Sequence, residues 1–170
     1  MVTQQFNPQR LNELEELLEL EYEQLHEYGK ALITADGISQ KIKLKQQLKR
    51  DLLLNLSAHE REYAELLAAG LQPERVPEIE AAPIILELTQ ATTQAQSISG
   101  APTEMLQLLT EIKHKLDEPG KSAAAKLKVA LPIIPLIARY ELELDTENFL
   151  TTILRKIRQA ARNWISRDPR

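Results

Sequence analysis

Four leucines at seven-residue spacing, Leu11, Leu18, Leu25 and Leu32, restrict this chain more than any other feature of its sequence. Such a repeat keeps one face of an α-helix continuously apolar. Leu14 and Tyr28 add a second row, which Glu21 interrupts. Asn7-Pro8 supplies the start: an Asn side chain accepts from the free N–H groups of the first turn, and Pro forfeits nothing at the first helical position. Thr34-Ala35-Asp36-Gly37 then breaks the pattern with a capping Asp and a Gly that tolerates left-handed backbone. Beyond it Ile38, Ile42, Leu44, Leu48, Leu52, Leu56, His59, Tyr63 and Leu66 resume helical spacing towards a stop near Gly70. Two helices of roughly 27 and 31 residues joined by so short a turn must run antiparallel, each about 40 Å long. Their charges are opposed, with Glu21, Glu23 and Glu27 on the first and Lys41, Lys43, Lys45, Lys49 and Arg50 on the second. Exposed pairs contribute only ~0.2–1 kcal/mol each, so the apolar seam must hold the hairpin together.

Gln72-Pro73-Glu74-Arg75-Val76-Pro77-Glu78 has no periodicity and two prolines, which predicts a hairpin over 1–71, a Pro-containing linker over 72–82 and a helical region over 83–170. Within that region one helix is expected from Pro83, weakening in the polar tract Thr92 to Ser97. A second follows Pro102 through Met105, Leu106, Leu109, Ile112 and Leu116, closed by Pro119-Gly120. Ser122 to Leu131 reads as an Ala-rich helix, whereas Pro132-Ile133-Ile134-Pro135-Leu136-Ile137 is an apolar run broken by prolines. Tyr140-Glu141-Leu142-Glu143-Leu144 alternates with the period of a short strand, or forms a loop packed by its leucines. Asp145 with Asn148 is expected to cap a last helix. There Phe149, Leu150, Ile153, Ile157, Ala160, Ala161 and Trp164 form an apolar stripe opposite Arg155, Lys156, Arg158 and Arg162. The fold class is therefore mainly α: a long-helix hairpin, then a small helical region with a Pro-broken apolar segment and a strand or loop.

Composition agrees, since 43% of residues are apolar but only 4% aromatic, and such a core of Leu, Ile, Ala and Val favours helix-on-helix packing. The chain has no cysteine, which removes disulfide and thiolate chemistry and suits a reducing cytoplasm. Met1 to Phe6 has neither the basic region nor the apolar run of a signal peptide. Net charge alternates along the chain, −6 over 1–40, +2 over 41–75, −4 over 76–145 and +4 over 146–170. That pattern suits pairing between helices and lacks the broad basic face of a nucleic-acid binder.

The motifs of catalysis and cofactor binding are missing. His59-Glu60-Arg61-Glu62-Tyr63 has Tyr where a zinc-protease helix needs its second His. Gly120-Lys121-Ser122 has the last three positions of a phosphate loop but Lys115 in place of its first Gly. His26, His59 and His114 lie far apart, and Glu13, Glu15, Glu16 and Glu19 are spaced as a solubilising helix face. The expectation is a non-enzyme without cofactor or metal. The stretch Ala123 to Val129, continuing through Pro132-Ile133-Ile134-Pro135 to Tyr140-Glu141-Leu142-Glu143-Leu144-Asp145-Thr146-Glu147, resembles a segment of cyanobacterial multidomain signalling proteins. In those chains similar segments neighbour NACHT- or other STAND-type NTPases. Leu18 to Leu25 with Lys43-Leu44-Lys45-Gln46-Gln47-Leu48 is similar to their helical N-terminal module, and the two matches cover about half of the chain. The resemblance implies an effector-associated adaptor coupling by helix–helix contacts, and acting in trans because no NTPase domain follows. Its partner is expected to be a protein, including a second copy of itself, with Leu11, Leu18, Leu25, Leu32, Arg155, Lys156, Arg158, Arg162 and Trp164 as the contact residues. The alternative is a peripheral membrane protein whose basic C-terminal helix lies on an anionic surface.

Overall fold

A computed structural model of the chain describes residues 5–144 and 148–166. The fold is mainly α. Helix α1 (Pro8–Thr34) starts where Asn7 accepts from the Arg10 N–H at 3.2 Å and carries Pro at its first position. A turn at 35–37, with Gly37 at φ 86°, reverses the chain. Helix α2 (Ile38–Gln47) continues without a break through a π-helical segment (Leu48–Leu53) into α3 (Leu54–Gly70). The sequence explains the π segment. Leu44, Leu48, Leu52, Leu56, Glu60, Ala64 and Ala68 recur every four residues, and on a helix of ~3.6 residues per turn such a row drifts by about 40° per step. The wider π turn takes up part of that drift, and Leu52 to Ala68 in this row are all buried.

A single-turn 3₁₀ segment (Pro73–Arg75) leads into α4 (Glu78–Gln96), which corrects the expected linker: the helix begins five residues before Pro83. Pro83 sits on the exposed side of the helix, and the carbonyl it leaves without a donor belongs to Ile79, itself 85% exposed. The polar tract is helical as far as Gln96, and the hydroxyls of Thr92 and Thr93 are satisfied within it by donating to the carbonyl four residues back. Helices α5 (Thr103–Leu116) and α6 (Ala123–Ala130) follow, the second capped by the Ser122 hydroxyl on the Ala125 N–H.

Helix α7 (Ile134–Leu144) replaces the strand or loop expected at 140–144, with Pro135 harmless in its first turn. Ile134, Ile137, Ala138 and Glu141 form its buried stripe. The fourth member is a carboxylate, so the helical period was hidden behind the accidental alternation of Leu142 and Leu144. Glu141 is fully buried because it closes the start of α8 (Phe149–Ser166). It accepts from the Leu150 N–H at 2.9 Å, the Thr151 N–H at 3.0 Å and the Thr151 hydroxyl at 3.3 Å. The expected cap residue Asp145 lies outside the described residues, whereas the Asn148 carbonyl accepts from the Thr152 N–H.

One apolar core takes Leu11, Leu14 and Leu18 from α1, Leu56, Tyr63 and Leu67 from α3, and side chains from all of α4 to α8. The hairpin base and the C-terminal helices therefore share their interior. Beyond Glu21 the hairpin leaves that interior: α1 has no buried residue past this point and α2 has none at all. The result is an arm projecting from a helical body. Among the described residues no helix is long and apolar enough to cross a membrane.

Candidate functional site

Helix α8 lies against α3 and α4, and its outer edge faces α1 across a groove of about 1250 Å³. Leu18 and Leu25 of α1 with Tyr22 and Tyr63 form its floor. Glu15, Glu19 and Glu23 edge it on one side, and Arg155, Arg158 and Arg162 on the other. The groove thus unites five of the nine residues that the sequence singled out.

Below the floor a polar network ties α1, α3 and α8 together. The Tyr22 hydroxyl donates to Glu60 Oε1 at 2.5 Å, and Arg158 Nη1 reaches the same oxygen at 2.8 Å. Arg155 stacks on the Tyr22 ring with its guanidinium carbon 4.0 Å from the centroid. Tyr63 donates to Glu15 Oε1 at 2.6 Å, where Arg162 Nε approaches to 3.2 Å, and Arg162 also donates to Asn12. His59 Nδ1 lies 2.6 Å from Glu21 Oε1, so a neutral imidazole carries its proton on that nitrogen. Arg10 forks onto Glu62 at 2.6 and 2.9 Å. Arg10–Glu62, Glu15–Tyr63, Glu21–His59 and Tyr22–Glu60 thus link α1 to α3 along the buried part of α1.

Burial sets the electrostatics of this network. It pushes the Glu60 carboxyl above its ordinary value, against the opposing pull of Arg158 and the Tyr22 hydrogen bond. Burial likewise raises Tyr22 and Tyr63, so both phenols stay protonated donors. At the rim the hydrogen bond from Arg10 holds Glu62 below the usual carboxylate range. Among the described residues the second oxygens of Glu21 and Glu60 are buried without a hydrogen-bond partner. Among the described residues no group of three or more His, Asp or Glu side chains is arranged to hold a metal ion.

The sequence-selected residues divide as follows. Leu11 and Leu18 belong to the core, with Leu18 only 2% exposed, so the leucine repeat is spent inside the molecule and is not a docking stripe at these positions. Leu25 is half-buried in the groove and Leu32 half-buried near the arm's tip. Arg155, Arg158 and Arg162 turn onto Tyr22, Glu60 and Glu15, while Lys156 pairs with Glu87 of α4 at 3.4 Å. All four cations offered to an anionic surface are thus engaged within the chain. Trp164 is half-buried beside a second cavity of about 880 Å³ that Phe6 and Val76 also line. The expected cross-hairpin pairs differ too, since Glu21 goes to His59 and Glu27 to Lys30.

Sequence reasoning missed Tyr22, Glu60, Tyr63 and Glu15 as one unit. The available signal was Glu60 in the otherwise apolar four-residue row of α3, and Glu21 in the leucine seam. Compared with protein-family models, curated proteins and solved structures, the chain matches none.

Proposed function

We propose that this chain is a non-enzymatic helical adaptor of the cytoplasm, making protein–protein contacts through its hairpin arm. One observation carries the reading: at the arm's tip Ile33, Ile38 and Ile42 are 84%, 78% and 50% exposed, on a helical rod that contributes nothing to the core beyond its base. Isoleucines so placed lose nothing by substitution with polar residues as far as the monomer's packing is concerned, and clustered exposed apolar side chains mark contact sites. The polar network at the base supports the same reading, because it locks α1 to the body and makes the arm a rigid lever. The likeness to effector-associated modules supports a signalling setting for such contacts. A peripheral membrane role has less support, since the cations of α8 are held by Tyr22, Glu60, Glu15 and Glu87.

The test is site-specific photo-crosslinking in living cells, with the reactive group at Ile38 or Ile42 and, as control, at Glu111 on the exposed face of α5. Discrete protein adducts from the arm positions alone are expected. Equal adducts from all three positions, or none from the arm, would sink the proposal.

A further inference from the structure

We infer that the occupant of the arm is a second copy of this chain: the basic, isoleucine-bearing face of α2 in one copy lies on the acidic face of α1 in the other, and reciprocally. This rests on the adaptor reading of the arm and names its partner.

The two faces are legible residue by residue. On α1, Glu15, Glu19, Tyr22, His26, Gly29 and Ile33 follow one another at steps of four, three, four, three and four, so they share one side of the helix. The inner part of this side edges the groove, and the outer part runs past the reach of α8 to the exposed Ile33. Along α2 and into the π-helical segment that continues it, Ile38, Lys41, Ile42 and Lys49 share one side in the same way. Among the described residues Glu16, Glu19 and Glu23 of α1 make no ion pair, and neither do Lys41, Lys43, Lys49 and Arg50. One helix of the arm is therefore left with unspent negative charge and the other with unspent positive charge, each beside exposed isoleucine. A second arm laid antiparallel meets both needs at once, and a two-fold axis makes the two contacts identical.

Gly29 adds an independent sign. A glycine in a helix interior costs about 0.5–1 kcal/mol relative to Ala, yet among the described residues nothing lies within 4 Å of where its Cβ would be. No neighbour in the monomer requires it. A bare backbone patch on the acidic face does let another helix approach closely.

The overlap has the size of a reversible dimer. Residues 15–33 of α1 span about 27 Å, and two helix faces about 10 Å wide give roughly 500 Å² from each copy, to which the α8 edge of the groove adds. A standard interface takes ~800 Å² from each partner, so this contact falls at the small end, among reversible associations.

The test uses the full chain and two charge-reversed variants, Lys41→Glu/Lys49→Glu and Glu19→Lys/Glu23→Lys, followed by light scattering over a range of concentrations. Circular dichroism on each sample establishes that it is folded. The parent should reach twice the 19.3 kDa of the chain. Each variant alone should stay at the single-chain mass, its dissociation constant raised at least about tenfold. An equimolar mixture of the two should regain the dimer mass, because every α1–α2 contact in the mixed pair is again of opposite sign. Ile38→Asp/Ile42→Asp should abolish dimers in any mixture. A parent that stays single-chain at every concentration overturns the inference. If the arm then crosslinks to a protein of different mass, the adaptor reading stands, whereas no arm-specific adduct overturns both. A dimer indifferent to all three variants overturns this geometry.

Discussion

Replacing Arg158 by Met strands Glu60, and the structure sets how much that costs. Glu60 is buried at 6% exposure and Arg158 half-buried at 17%, and breaking such a pair leaves on Glu60 a charge that water scarcely reaches. Removing one partner of a buried pair costs ~3–5 kcal/mol where the remaining charge has no escape. Glu60 has one, because it can take up a proton. At pH 7, two and a half pH units above the ordinary glutamate value of 4.5, holding the carboxyl neutral costs about 3.4 kcal/mol at 1.36 kcal/mol per unit. Protonation therefore caps the loss near that figure, and because burial already raises Glu60 in the parent, the expected decrease at pH 7 is smaller, about 2 kcal/mol.

The sign of the pH dependence follows. Burial already raises Glu60 in the parent, and Arg158 is the strongest of the influences that lower it, so the substitution raises it further. A carboxyl whose folded value lies above its unfolded value contributes stability that is fully present below the unfolded value and is lost as pH rises through the folded one. The variant should thus recover on acidification: urea unfolding followed by circular dichroism should show the deficit shrinking to about 1 kcal/mol near pH 5. Adding Glu60→Gln, which keeps an acceptor for the Tyr22 hydroxyl, should return stability to within about 1 kcal/mol of the parent and abolish the extra pH dependence. A deficit below about 1 kcal/mol at pH 7, or one that ignores pH, would refute the view that Arg158 holds a buried charge in place.

Glu141→Ala should cost about 3 kcal/mol by leaving the Leu150 and Thr151 amides buried without an acceptor; thermal melting and faster amide exchange at those two residues check it. Leu18→Asp should unfold the chain, placing a carboxylate at a core position, whereas Ile42→Asp should leave the melting curve of the monomer within about 0.5 kcal/mol of the parent. Gly70→Ala brings a Cβ to 2.5 Å from the Phe6 ring and should cost about 1 kcal/mol by displacing it. In a Phe6→Ala background the same change should be neutral or stabilising, so a double-mutant cycle on denaturant midpoints should be strongly non-additive.

Where apolar period and cap agreed, the fold was legible in advance: Asn7-Pro8 and Gly37 delimit α1 and α2 as read, and the C-terminal stop at Gly70 holds. Legibility ended where a polar residue occupied a core position. Glu141 masked the stripe of α7, and Pro83 moved the expected start of α4 because a proline facing water can sit inside a helix. The groove was half legible. Arg155, Arg158 and Arg162 stood out as a charged face, but their acceptors come from residues about 100 or more positions away, a convergence that no local pattern carries. The leucine repeat identified α1 correctly but could not tell which of its leucines are covered by the body, and Leu11 and Leu18 are.

The distribution of charge along α1 argues that the arm was shaped by something outside the monomer. Glu15, Glu19, Glu23 and Glu27 stand four apart, and like charges at that spacing destabilise a helix by ~0.2–0.5 kcal/mol per pair, about 1 kcal/mol over the three steps. At the base the cost is offset, because Arg162 and Tyr63 engage Glu15. Arg155, over Tyr22, marks how far the cations of α8 reach, and among the described residues Glu19 and Glu23 make no ion pair. An arm needing only solubility would mix signs along each helix; here one helix is acidic, the next basic, and isoleucine flanks both. Such segregation opposes folding slightly in a lone chain and favours association when two arms lie antiparallel about a two-fold axis. The repulsion within each α1 is then relieved by the same lysines that solvate the isolated rod, and raising salt should weaken the dimer while steadying the monomer.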